Sequence, residues 1–150
     1  MRYADFLLQQ QRPNNLLEQF PIPYDDQALL LRQVHAARLV NNRKQIEKYQ
    51  SHLSQRLNLP RQDLRQDEAS LQAAILAYYY LNIDKQPKQA LHYAKLNWET
   101  QKASEDLRLL LRAAQLTHDK KALRVIQQWR EKTALEDVIL DDLLSKYTQQ

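Results

Sequence analysis

The chain of 150 residues contains no glycine, where average usage of about 7% would supply roughly ten. That absence excludes whole classes of site. Gly-rich phosphate cradles, dinucleotide-binding fingerprints and the nucleophile elbow all need backbone at positive φ, or an approach so close that a Cβ obstructs it. Tight hairpins lose their preferred turn residue as well, which argues against a meander, sandwich or barrel. Cysteine is also absent. Disulfides, thiolate nucleophiles and Cys-ligated zinc are therefore excluded, while the redox compartment stays open. No apolar run approaches the roughly 20 residues that cross a bilayer, and the start, Met1-Arg2-Tyr3-Ala4-Asp5-Phe6-Leu7-Leu8-Gln9, does not read as a signal peptide. The expectation is a chain without membrane insertion: cytoplasmic, or periplasmic where it is a mature form or a fragment.

What is present forms helices. Leu and Gln number 27 and 20, while Val, Ile and Thr together reach 14. Unbranched side chains keep their rotamer freedom in a helix, so the composition predicts an all-α fold. With glycine unavailable, Asn is the natural left-handed terminator, and Asn41, Asn42, Asn58 and Asn82 fall where periodic segments end. Helices are predicted over about 3–11, 14–20, 26–40, 43–57, 68–82, 87–100, 104–117, 120–132 and 135–147. Asp25 or Asp26 caps the third, Pro87 suits the first turn of the sixth, and Ser104 with Glu105 and Asp106 starts the seventh.

The faces follow from the spacing. Residues 71–81 are apolar nearly all round, which places them at the centre of the molecule. The helix at 104–117 turns Leu107, Leu110, Leu111 and Ala114 inward and Glu105, Arg108, Arg112 and Gln115 outward. The next puts Ala122, Leu123, Ile126 and Trp129 on its apolar stripe, leaving Lys121, Arg124 and Gln128 outside. Helix 26–40 places Leu30, Val34 and Ala37 inward and Arg32, His35 and Arg38 outward.

Short connections make consecutive helices antiparallel neighbours. Three pairs result: 26–40 with 43–57, 68–82 with 87–100, and 104–117 with 120–132. Their second helices carry Ile46, Ala90 and Ala122, which lie 44 and 32 residues apart. These intervals bracket a period of about 34 residues, and an insertion of about ten around residues 59–65 accounts for the longer one. Ala77 with Tyr80, Ala122 with Ile126, and Ala90 with Ala94 occupy small and large positions in a pattern that resembles the tetratricopeptide-repeat family. Asn97 and Trp129 stand where that pattern has small residues, and its Trp-x2-Leu-Gly opening is missing. The run Ala90-Leu91-x2-Ala94-x2-Asn97-Trp98-x2-Gln101, followed by Asp106-x-Arg108-Leu109-Leu110-Leu111-x-Ala113-Ala114, looks like the C-terminal part of proteobacterial members, over roughly residues 68–137. The resemblance implies stacked helix pairs and a bacterial source, and no activity. The expected architecture is one domain over 1–150, a short right-handed α-solenoid of about seven to nine helices. Residues 1–24 form an N-terminal helical segment, 25–133 the three pairs, and 134–150 a C-terminal capping helix.

No chemical site emerges. His35, His52, His92 and His118 form no i, i+4 pair, so they read as solvent-facing or helix-end residues. The carboxylate pairs Asp25/Asp26, Asp67/Glu68, Glu105/Asp106 and Glu136/Asp137 sit at predicted helix starts, where they cap free N–H groups, and Asp141/Asp142 adds a fifth pair. Ser70 and Ser104 have no companion base in the pattern. No catalytic residue, cofactor or metal site is expected.

A binding surface is. Tyr78, Tyr79 and Tyr80 point about 100° apart on a helix, so Tyr78 belongs to the core while Tyr79 or Tyr80 turns toward a groove. Trp98 and Trp129, each on a second helix, are wedges between pairs. In stacked pairs the outward sides of the first helices line a concave surface. Its members here are Arg32, His35 and Arg38, then Tyr79 and Ile83, then Arg108, Arg112 and Gln115. The expected function is a non-catalytic module whose partly basic groove takes a peptide or helix of a protein partner with acidic groups, met by the arginine forks. The alternative follows from charge. The net charge is +4, and residues 32–65 hold 8 basic groups against 2 acidic ones, which suggests nucleic-acid binding through that surface. Only Tyr49 is aromatic among those basic residues, so the aromatic interleaving of single-strand binders is missing. The acidic tail offers two further uses, folding back on the basic surface or pairing with a second copy as a homodimer.

Overall fold

The computed structural model describes residues 2–57, 72–133, 141–142 and 144–145. The described residues contain helices and no strand, in keeping with the composition. The chain divides into two compact units, Met1–Asp63 and Leu64–Gln150.

In the first unit, α1 (Arg2–Gln9) and α2 (Pro13–Gln19) pack on α3 (Gln27–Leu39), which also packs on α4 (Arg43–Arg56). Pro13 opens α2 at a position whose N–H has no helical acceptor to lose. The stretch from Phe20 to Asp26, with Pro21 and Pro23, cannot extend a helix, and α3 satisfies its backbone from the side. Gln33, fully buried, donates from Nε2 to the Phe20 and Ile22 carbonyls at 2.8 and 2.6 Å and accepts from the Tyr24 N–H at 3.2 Å. The buried Tyr49 hydroxyl donates to the Pro21 carbonyl at 3.1 Å. Asp26 caps α3 by accepting from the Leu29 N–H at 2.8 Å. Asn41 ends it at φ 54°, as expected of a left-handed terminator, while Asn42 serves as N-cap of α4, accepting from the Gln45 N–H at 3.1 Å. Asn58 lies outside the described residues.

One expectation about α3 fails. Arg32 is not on an outward face but 8% exposed, with Leu29, Leu30, Leu31, Gln33 and Val34 buried around it. Both α1 and α2 pack on α3 in addition to α4, and the run from Leu29 to Val34 is buried without a break.

In the second unit, α5 (Ala73–Tyr78) runs directly into a π-helical turn over Tyr79–Ile83, followed by α6 (Pro87–Thr100), α7 (Ser104–Leu116) and α8 (Lys120–Thr133). The predicted helix over 68–82 is continued by wider hydrogen bonding, with the Asp84 N–H on the Tyr79 carbonyl at 3.0 Å. Asn82 accordingly does not terminate the helix: it is buried, donates to the Tyr78 carbonyl at 3.1 Å, and leaves the left-handed conformation to Lys85 at φ 58°. Residues 68–71 of that prediction lie outside the described residues.

Consecutive helices pack against each other from α5 to α8. Alternate helices meet as well. α5 touches α7, and Trp98 of α6 meets Trp129 of α8 edge to face with centroids 5.1 Å apart. The core combines Leu76, Ala77, Leu81, Ala90, Ala94, Leu107, Leu110, Leu111, Ala113, Ala114, Ala122, Leu123 and Ile126. The alanines allow close helix approach while the leucines fill the gaps. Two carboxylates fix the connections. Asp106 accepts from the Ala103 N–H at 3.1 Å and from the buried Asn97 amide at 2.7 Å. Asp119 caps α8 through the Ala122 N–H at 2.9 Å and receives Lys95 at 2.6 Å. Of the helix predicted over 135–147, residues 141, 142, 144 and 145 are described, and they are helical.

Candidate functional site

Each unit carries part of the expected surface. In the first, the Arg32 guanidinium is committed to Asp5, with Nε on Oδ1 at 2.9 Å, and to the Ala28 carbonyl at 3.0 Å. It contributes nothing to an outer face. His35 is half-buried, and Arg38 is exposed with Nη2 on the Gln50 side chain at 3.3 Å. Other members of the basic region are similarly occupied. Arg56 pairs with Asp25, Arg43 with Glu47 at 3.3 Å, and Lys48 lies 5.7 Å from the centre of the Tyr49 ring. Arg61 and Arg65 lie outside the described residues.

In the second unit, Arg112 of α7 is exposed, with Arg108 and Gln115 half-buried one turn to either side on the same face. Ile83 is buried, so it is not available to a ligand. Tyr79 and Tyr80 are both half-buried and meet edge to face at 5.2 Å, while Tyr78 lies in the core as expected. Tyr80 continues into a stack that the sequence did not reveal. Its ring lies 5.6 Å from that of Tyr93 at an interplanar angle of 6°, and His92 meets Tyr93 edge-on at 5.0 Å. The π-helical turn sets where Tyr79 and Tyr80 fall around the axis, and regular 3.6-residue spacing cannot give that.

Burial, with smaller contributions from Tyr93, Tyr79 and Asp84, pushes the Tyr80 phenol above its ordinary value, and burial does the same to Tyr93. Both stay neutral at physiological pH and offer ring faces and hydroxyls rather than phenolates. Asp26, Asp106 and Asp119 are engaged in caps. Among the described residues, no group of three or more His, Asp or Glu is arranged to hold a metal ion, and no helix is long and apolar enough to cross a membrane.

Models of protein families, curated proteins and solved structures yield no match to this chain.

Proposed function

We propose that this chain is a non-catalytic, tetratricopeptide-like interaction module that binds an acidic peptide or helix of a partner protein through a partly basic groove. One observation carries the reading: alternate helices of the second unit touch each other, α5 with α7 and α6 with α8 through Trp98 and Trp129. Sequential pairs that stack in layers bury first helices against first helices and second against second, as a short right-handed solenoid does. The outer side of the first helices then offers a surface, on which Arg112 stands exposed between Arg108 and Gln115, with Tyr79 on the π-helical turn of the preceding first helix. Arginine forks take carboxylates in pairs, and tyrosine supplies apolar area at small entropic cost. In the first unit, His35 and Arg38 remain candidates and Arg32 does not.

The test is binding of the full chain to labelled acidic peptides, compared with generic DNA and RNA, at two salt concentrations. Saturable, sequence-selective peptide binding that Arg112→Glu weakens about tenfold supports the module. Tight binding to generic nucleic acid, falling steeply as salt rises, replaces it with the charge-driven alternative. The engagement of Arg32, Arg43 and Arg56 with carboxylates favours the peptide reading.

A further inference from the structure

A groove of about 410 Å³ runs along α8, and it shares no residue with the α7 surface. Lys120, Leu123, Arg124 and Gln127 line one stretch of it, at successive positions on a single helical face. Leu123 is part of the core and forms an apolar floor. Lys120 and Arg124 are exposed, and their charged ends have no ion pair or hydrogen bond among the described residues. Two cations one helical turn apart above an apolar floor form half of an interface.

The other half is visible at the far end of the same groove. There the chain supplies its own occupant: Asp141 pairs with Arg130, and Leu144, three residues on, packs against the core cluster. A carboxylate and a leucine on one helical face thus already satisfy a cation and an apolar floor on α8. Toward the start of α8 the cation and floor recur, but no described residue plays the carboxylate's part.

We propose that the Lys120–Arg124 stretch of this groove is a docking site for an acidic, leucine-bearing helix of a partner protein, which continues the seat already taken by Asp141 and Leu144. Charge complementarity and continuity with the intramolecular seat both lead to this occupant. Carboxylates four residues apart on a helix lie about 6 Å apart, which matches Lys120 and Arg124 at the same spacing. A leucine three residues after each carboxylate reproduces the Asp141–Leu144 relation. The site does not depend on Arg112, so this inference and the proposed function stand or fall separately.

The probe is a fluorescein-labelled helical peptide of Glu-Ala-Ala-Leu repeats, titrated into the full chain and read by anisotropy. Saturable binding is expected, with Arg124→Glu and Lys120→Glu each weakening it about tenfold, while Lys121→Glu changes it less than about twofold. Lys121 is exposed on the same helix but does not line the groove, so it controls for net charge. Circular dichroism confirms that each variant stays helical. No saturable binding, or equal weakening by all three reversals, overturns the site. A concentration-dependent dimer that Arg124→Glu abolishes overturns the partner assignment and gives the groove to a second copy of the chain.

Discussion

Arg32 of α3 holds Asp5 of α1 with two nitrogens, Nε on Oδ1 at 2.9 Å and Nη2 on Oδ2 at 3.3 Å. This bidentate pair is largely withdrawn from water, the two side chains being 10% and 17% exposed. Removing one partner strands the other's charge, which costs about 3 kcal/mol in such settings, whereas replacing both with apolar groups is often neutral. Asp5→Ala is therefore expected to open α1, seen as rapid hydrogen exchange of its amides. The double variant Asp5→Leu/Arg32→Met is expected to recover most of the protection. Equal exchange in Asp5→Ala and the wild type would show that the pair holds nothing.

Gln33 satisfies three backbone groups of the proline-containing stretch that leads into α3. Gln33→Leu keeps most of the volume and leaves those groups without their partner, at about 1–3 kcal/mol for each group that water does not reach. The expected result is faster proteolysis between Phe20 and Asp26 together with a lower urea midpoint. Unchanged cleavage would mean that the contacts of Tyr49, Lys48 and Arg56 secure the stretch without Gln33.

The Lys95 ammonium, bonded to the Asp119 carboxylate, and the Ala122 N–H behind it hold that carboxyl below its ordinary value, against an opposing effect of burial. A carboxyl whose folded-state value is depressed contributes stability that is present above its unfolded value of about 3.9. That contribution is lost as pH falls through the folded value. Asp119→Asn keeps an N-cap residue but removes the titration, so its stability is expected to fall less than the wild type's from about pH 4 downward. Parallel acid-unfolding curves for the two proteins would contradict this.

In place of glycine, four of the described residues adopt left-handed backbone: Gln11, Asn41, Lys85 and His118, with φ between 54° and 58°. An L-residue with a Cβ sits there at a cost of about 1 kcal/mol, partly offset by the greater chain entropy that glycine gives the unfolded state. His118→Gly, between α7 and α8, is expected to raise the thermal midpoint by a few degrees. Asn41→Gly is expected to raise it less, because asparagine tolerates this region better. A lower midpoint for His118→Gly would show that the His118 side chain makes a stabilising contribution of its own.

Helix identity was legible along most of the chain because it depends on local spacing. The stripe Leu107, Leu110, Leu111 and Ala114 is buried as its periodicity predicts, and α6 spans Pro87–Thr100 as read. The two tryptophans, read as wedges between helix pairs, meet edge to face. Exposure was less legible. Arg32 occupies a polar position on a helix with one apparent solvent side, but the number of neighbours covering α3 is a property of the packed unit. Tyr93 joins Tyr80 through a pairing 13 residues distant in sequence, which no single-helix pattern contains.

By itself the sequence determined that this protein is built of helices and that glycine-dependent and cysteine-dependent chemistry is closed to it, because backbone freedom, thiol chemistry and helical periodicity belong to residues and their near neighbours. Only the tertiary structure decided which charges are engaged inside, as Arg32 is, and which stand exposed without an ion pair among the described residues, as Lys120 and Arg124 do. A charge is satisfied by whatever folds against it, and that is settled by the long-range packing of helices rather than by any local pattern.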